Sequence, residues 1–375
     1  MKPFPLLLGA TLAVSVLQFS APAQAQPTPR RANIILIVAD GLAAGDLSCY
    51  GQDQFQTPHI DQLAAGGIRF TNYFAGSLAG APARAALMLG KDTSRLPDAD
   101  FALTSSDVTV AQLLKNSSYN TCLIGEWNLG DEHSQGAPWL QGFSEFAGYF
   151  DPADARNVYP DYLWKYDETY HPGESQPEVF NGTEMLYDNT GGKKRMYMPD
   201  TFVQWAINYA QENVPDRFNQ HKPFFIAIDE TIPGNGNREV PSQAPYSEEP
   251  WPPAERNRAA TIGRLDDDIG KLLDQLTALG ESSNTVIFLT SDTVPQKGDG
   301  VDPKFFRENS GPDDLHVPFI AYWPGTIPAG RVSGIQCSAR DFLPTAAALA
   351  LAQTPKDVEG TSLLPVILGR TSGTK

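Results

Sequence analysis

Asn33-Ile34-Ile35-Leu36-Ile37-Val38-Ala39 is a near-continuous apolar run, and the carboxylate Asp40 follows it. A run of that length, apolar at successive positions, reads as a β-strand buried on both faces. Thr121–Ile124, Pro223–Ile228, Thr285–Leu289 and Val317–Tyr322 have the same character. Helical patterns lie between them. Ile60–Ala65 follows Thr57-Pro58, a helix start signal, and Ala83–Leu89 follows a proline. Val108–Leu114, Thr201–Gln211 and Asp341–Leu351 are further helical stretches. The longest runs from Ala254 to Leu279, with Ile262, Leu265, Ile269, Leu272, Leu273 and Leu276 at helical spacing and Gly280 as its stop. Strands alternating with helices predict an α/β fold, a mostly parallel central sheet with helices on both faces. Such sheets carry their sites at the carboxyl ends of the strands. That rule points to Asp40, to Gly125–Asn128 and to Ser291-Asp292. The Tyr-, Pro- and Gly-rich stretch from Asp151 to Pro199 reads as a long excursion from this core, not a domain of its own.

The 375 residues are 41% hydrophobic, enough for a large core. The formal net charge of -16 excludes a nucleic-acid partner, because the phosphate backbone rewards clustered Lys and Arg. Lys2, the apolar run Leu6–Val16 and the small residues of Ala23-Gln24-Ala25 read as a secretory leader cleaved after Ala25. The protein is therefore expected to be exported to the periplasm or the extracellular space. No other apolar stretch is long enough for membrane insertion. Cys49, Cys122 and Cys337 are too few and too scattered for a disulfide framework and read as packing residues, with at most one bridge. His133, His171 and His221 have no mutual metal-ligand spacing and read as surface residues. Trp164, Trp205 and Trp251 suit packing better than a sugar-stacking surface.

Several landmarks in order carry a family likeness. The stretch Asn33–Asp40 leads to Gly45-Asp46-Leu47-Ser48-Cys49-Tyr50-Gly51, then to Thr57-Pro58-His59-Ile60-Asp61 and Gly67-Ile68-Arg69-Phe70-Thr71-Asn72. Pro82-Ala83-Arg84, Asn284–Asp292, Val317–Gly325 and Asp341–Thr345 follow. This series resembles the sulfatase family, of the arylsulfatase type, from about Ala32 to Gly369. The resemblance implies the alkaline-phosphatase-like α/β fold. It divides the chain into a leader (residues 1–25), a linker (26–31), a sulfatase-like domain (32–370) and a tail (371–375). It also implies that the family's C-terminal subdomain is missing, since the chain stops soon after Leu363-Leu364-Pro365.

The resemblance further implies a site, and here the chain departs from the pattern. Sulfatases use an aldehyde hydrate made from the first residue of Cys/Ser-x-Pro-x-Arg. This chain has Gly80-Ala81-Pro82-Ala83-Arg84, and glycine carries no atom to oxidise, so no formylglycine forms. Ser77 lies outside the spacing. The family's divalent cation, usually calcium, is held by an Asp-Asp pair and an Asp-Asn or Asp-His pair. Here they are Asp40-Gly41 and Asp292-Thr293, which leaves two carboxylates for an ion that wants about six to eight oxygens. Weak calcium binding through Asp40 and Asp292 stays open, but no cofactor is expected. The family's Gly-Lys-Trp-His is Gly125-Glu126-Trp127-Asn128, which reverses a charge and removes a proton-exchanging imidazole. A further family His is replaced at Gly234, and a family Lys falls in a deletion before His316-Val317-Pro318. Arg84 is retained, and an ion pair with Asp40 would give it a structural role. No catalytic residues are expected. The reading is a sulfatase homologue without ester hydrolysis, binding a glycan or a partner protein. The alternative is an arylsulfatase-like hydrolase with a rebuilt site, using Asp40, Glu126 and Asp292.

Overall fold

A computed structural model describes residues 31–94, 96, 101–170, 181–214, 222–234, 238–295 and 315–370. The expected leader, His171, His221, the segment of the expected lysine deletion and the expected tail lie outside these residues. In chain order the first half contains β1 (Asn33–Asp40), α1 (Pro58–Gly66), β2 (Ile68–Phe70), β3 (Tyr73–Phe74), α2 (Gly80–Leu89), α3 (Val110–Asn116), β4 (Asn120–Glu126) and β5 (Glu145–Tyr149). Then come α4 (Pro152–Ala155), β6 (Tyr162–Asp167), β7 (Gly182–Met185), α5 (Met198–Glu212) and β8 (Phe224–Pro233). The chain continues with α6 (Pro253–Ala278), β9 (Thr285–Ser291), β10 (Phe319–Tyr322), β11 (Arg331–Ser333), β12 (Cys337–Ser338), α7 (Phe342–Leu349) and α8 (Leu364–Ile367).

The main sheet runs β11-β2-β10-β9-β1-β8-β4-β5-β6-β7. Its centre, from β9 to β5, is parallel. Strand β1 shows why both faces need cover. Ile34, Leu36 and Val38 enter one core with α2, α3, α7 and α8. Ile35, Ile37 and Ala39 enter a second with α1, α5 and α6. Alternate side chains point to opposite faces, and here both sets are apolar.

The five strands read from the sequence are all present, as are the six helices, with ends shifted by a few residues. The stretch after Asp151 differs from the expected excursion. It supplies β6 and β7, which pair antiparallel and extend the sheet beyond β5. In β6 only Leu163 is fully buried; Tyr162 is exposed and Trp164–Asp167 are half-buried. The apolar signal that marks a central strand is therefore absent there. The three cysteines are free, so no bridge forms.

The register sets the site. Ala39 pairs with Ser291, Val38 with Asp229 and Gly125 with Asp229. Asp40, Glu126, Asp229 and Asp292 therefore arrive together at the carboxyl ends of four adjacent strands. Gly125 is required at this level: its φ is +111°, and a Cβ there would lie 1.9 Å from the Asp229 carbonyl oxygen.

Candidate functional site

Helix α2 aims its first turn at these strand ends. Its fifth residue, Arg84, is buried among three carboxylates. Its Nη1 lies 2.8 Å from Glu126 Oε1, its Nη2 2.9 Å from Asp292 Oδ2 and its Nε 3.4 Å from Asp229 Oδ1. All four side chains are at most 6% exposed. Burial works against the charge on Arg84, but Glu126, Asp292 and Asp229 outweigh it and hold the guanidinium protonated. Arg84 does not pair with Asp40 as the sequence suggested. Glu126, standing where the family has lysine, takes that place instead.

One guanidinium does not balance three buried acids. Burial pushes Glu126 up to about 7, with Arg84 pulling the other way and Asp40 and Asp292 adding to the rise. Asp229 is raised well above the usual carboxylate range, again mainly by burial. Burial raises Asp292 as well, against the pull of Arg84 and of the hydrogen bonds that its Oδ1 accepts from Gly41 N and Thr293 Oγ1.

Asp40 has its own cation. Arg238 Nη2 lies 2.5 Å from Asp40 Oδ2, and Arg238 is itself buried. Arg258, fully buried, donates to the carbonyls of Gly41 and Gly234 and pairs with Asp46. Both glycines have positive φ, +67° and +61°, and at Gly234 a Cβ would lie 2.5 Å from Arg238 Nε. Gly234 thus makes room for Arg238.

Gly80 opens α2 at the same place. A Cβ on it would lie 3.3 Å from Arg84 Nη1 and 3.5 Å from Asp292 Oδ2. Residue 80 therefore faces the cluster, as the family pattern requires, but presents nothing. Ser77 is turned to local use, its hydroxyl accepting from Ala79 N. Asn128, in place of the family histidine, takes a left-handed conformation with φ 51°, which asparagine tolerates. The cleft is open. Asp40, Gly41, Gly80, Arg84, Glu126 and Asp292 are among the residues lining a pocket of about 220 Å³.

The sequence reading brought Asp40, Arg84, Glu126, Asn128, Gly234 and Asp292 to one place, and the structure gathers all six there. It missed Asp229 and Arg238. Asp229 interrupts the apolar strand Phe224–Ile228 with an acid, and a carboxylate inside a buried strand signals a partner. Arg238 sits in a loop and left no local signal.

A divalent cation does not fit the residues present. Asp292 spends one oxygen on Gly41 N and Thr293 and the other on Arg84. Asp40 holds Arg238. Elsewhere His59, Asp266 and Asp267 approach one another. Asp266, however, accepts from the backbone N of His59 and Ile60 at the start of α1, which is a capping role.

An α/β sheet of this order, with a polar strand-end cleft facing a helix start, defines a protein of the alkaline-phosphatase-like fold. The sulfatase family model matches residues 32–352, and the chain belongs to that family. It is 29% identical to human N-acetylgalactosamine-6-sulfatase over 92% of this chain and 67% of that protein. It is 30% identical to human arylsulfatase A over 91% of this chain and 68% of that protein. Among solved structures, Ps i-CgsB in complex with k-i-k-neocarrahexaose superposes with a TM-score of 0.74 at 25% identity, covering 92% of this chain and 78% of that one. A phosphonate monoester hydrolase of Agrobacterium radiobacter shares the fold, with a TM-score of 0.60 at 20% identity, 90% of this chain and 77% of that chain being covered.

Proposed function

We propose that this sulfatase-family protein does not hydrolyse sulfate esters and instead binds a glycan at the strand-end cleft. The observation that carries the reading is the Arg84 cluster. The guanidinium nearest the nucleophile position is consumed by Glu126, Asp229 and Asp292. A sulfate group entering there would meet carboxylates where an active enzyme needs free cations. Gly80 supplies no nucleophile, and the two retained acids are held by arginines rather than left open to a metal. A carbohydrate is favoured over a protein ligand by the relatives' names and by the neocarrahexaose in the Ps i-CgsB structure.

One feature favours a second reading, residual hydrolysis. Glu126, pushed up to about 7, is poised to exchange a proton near neutral pH. Turnover of 4-nitrophenyl sulfate and of N-acetylgalactosamine 6-sulfate, with and without calcium, separates the two. We expect background rates for the wild type and for Asp292→Asn alike. Turnover that disappears in both Glu126→Gln and Asp292→Asn would establish the hydrolase. Calorimetry with N-acetylgalactosamine and its 6-sulfate tests the glycan; the neutral sugar is expected to bind better, and binding of neither would remove that part of the reading.

A further inference from the structure

The opposite end of the same strands carries a second cavity, of about 210 Å³. It opens between β4, β5, β6 and α5. Cys122 and Ile124 form its floor, Trp205 and Tyr209 one wall, and Glu145, Asp167 and Glu212 line it as acids. Cys122 lies four residues before Glu126 on β4, so the two cavities are separated by about 13 Å of strand.

Its carboxylates are not neutralised. Among the described residues neither Glu145 nor Glu212 has an ion pair. Among the described residues the Asp167 carboxylate accepts only from Thr169 N and Oγ1, bonds of a local turn. Lys165, the cation beside them, is taken by Glu184 at 2.6 Å. Glu212 also ends α5, where the helix dipole adds negative potential instead of relieving it. Glu145 registers the result: burial first, then Asp167, Glu212 and Glu168, pushes it up to about 8.

A second observation points to a ligand. Tyr209 is 5% exposed and lines the cavity together with Cys122, Glu145 and Asp167, and its hydroxyl makes no hydrogen bond among the described residues. Its oxygen is open to the cavity, so whatever fills the cavity supplies its partner. The wall beside it already accommodates an ammonium, since Lys165 Nζ lies 5.2 Å from the centre of the Trp205 ring.

We propose that this cavity binds a primary alkylammonium ion, with its nitrogen among Glu145, Asp167 and the Tyr209 hydroxyl and its alkyl chain along Trp205. An ammonium offers three donors and a positive charge, which answers the unpaired acids and the unpartnered phenol together. An anion would meet three carboxylates, and an uncharged apolar ligand would bury them unpaired. The site is independent of the function proposed for the strand-end cleft.

The test uses the full chain and n-butylammonium chloride, with sodium chloride at equal ionic strength as the control. Thermal denaturation and calorimetry at pH 8 are expected to show a rise in Tm of a few degrees and 1:1 binding with the amine only. Glu145→Gln, nearly isosteric, is expected to weaken binding at least tenfold. Tyr209→Phe is expected to weaken it severalfold, and Asp40→Asn at the far end to leave it unchanged. An equal shift with sodium chloride, no shift with the amine, or full binding in Glu145→Gln would each overturn the proposal. If Glu145→Gln fails to fold, Tyr209→Phe carries the same decision.

Discussion

At the carboxyl end of β4, Glu126 meets Arg84 at 2.8 Å and Asp40 meets Arg238 at 2.5 Å. Toward the amino end of the same strand, Cys122 pairs in register with Glu145, a carboxylate with no cation against it among the described residues. Both ends gather acids from neighbouring elements. At one end two buried arginines are interleaved with them; at the other Lys165, which lines the cavity, is bound to Glu184. Solvation makes the difference matter. A buried carboxylate without a counter-charge raises its pKa and remains a demand for a cation, whereas a paired one becomes part of the frame. The arginines at the strand-end cleft thus make its acids part of the frame of the proposed glycan site, while the acids at the other end are left to the proposed ammonium.

The strongest way to break this comparison is to remove the central cation. Arg84→Met keeps the length of the stem but leaves Glu126, Asp229 and Asp292 without the guanidinium. Breaking a buried pair from one side costs about 3–5 kcal/mol, and the loss read by urea denaturation is expected in that range. A loss below about 1 kcal/mol would show that water or protons replace Arg84 at little cost, and that the cluster does not frame the strand ends.

The opposite end should respond with the opposite sign. Glu145 rises from its ordinary 4.5 to about 8 on folding. The folded state therefore holds this proton more tightly than the unfolded chain. The associated stability is complete below about 4.5 and is lost as pH rises through about 8. Glu145→Gln is expected to be near neutral at pH 5 and stabilising by on the order of 1 kcal/mol at pH 9. The expected signature is a flatter plot of Tm against pH. A variant less stable than wild type at pH 9 would show that Glu145 has a cationic partner after all.

Much of the fold and of the strand-end cleft was legible in the sequence, while the ion pairs and the second cavity were not, for a physical reason. The run Asn33–Asp40 gave its strand because burial on both faces leaves an unbroken apolar signal. Gly80, Glu126 and Asn128 could be placed at one site because each follows a strand or opens a helix at a known landmark. Strands β6 and β7 were missed, since this margin of the sheet is only partly covered and its strands carry few buried apolar residues. Arg238 and the acidic cavity were missed because their partners come from distant segments. Arg238 and Asp40 are 198 residues apart, and nothing local to either marks the pair. The pairing of Arg84 with Glu126, not Asp40, likewise depends on which strand lies beneath α2.

The smallest expected effect bears on the metal. Asp40 is 25% exposed, so its pair with Arg238 is partly screened, and Asp40→Asn is expected to cost no more than about 1 kcal/mol. Calcium should not change this. A site with a Kd near 1 mM would add about 1 kcal/mol of stability at about 5 mM calcium, well within the reach of thermal denaturation. With Arg238 on Asp40 and Arg84 on Asp292, no such gain is expected for the wild type, and chelators should leave Tm unchanged. Removing the competitor is the sharper version. Arg238→Met frees Asp40 but leaves Asp292 engaged with Arg84, Gly41 and Thr293, so calcium should still fail to stabilise the variant. A calcium-dependent rise in wild-type Tm that vanishes in Asp40→Asn would mean that the arginines yield to a cation. The strand-end cleft would then be a metal site, and the contrast between the two ends would disappear.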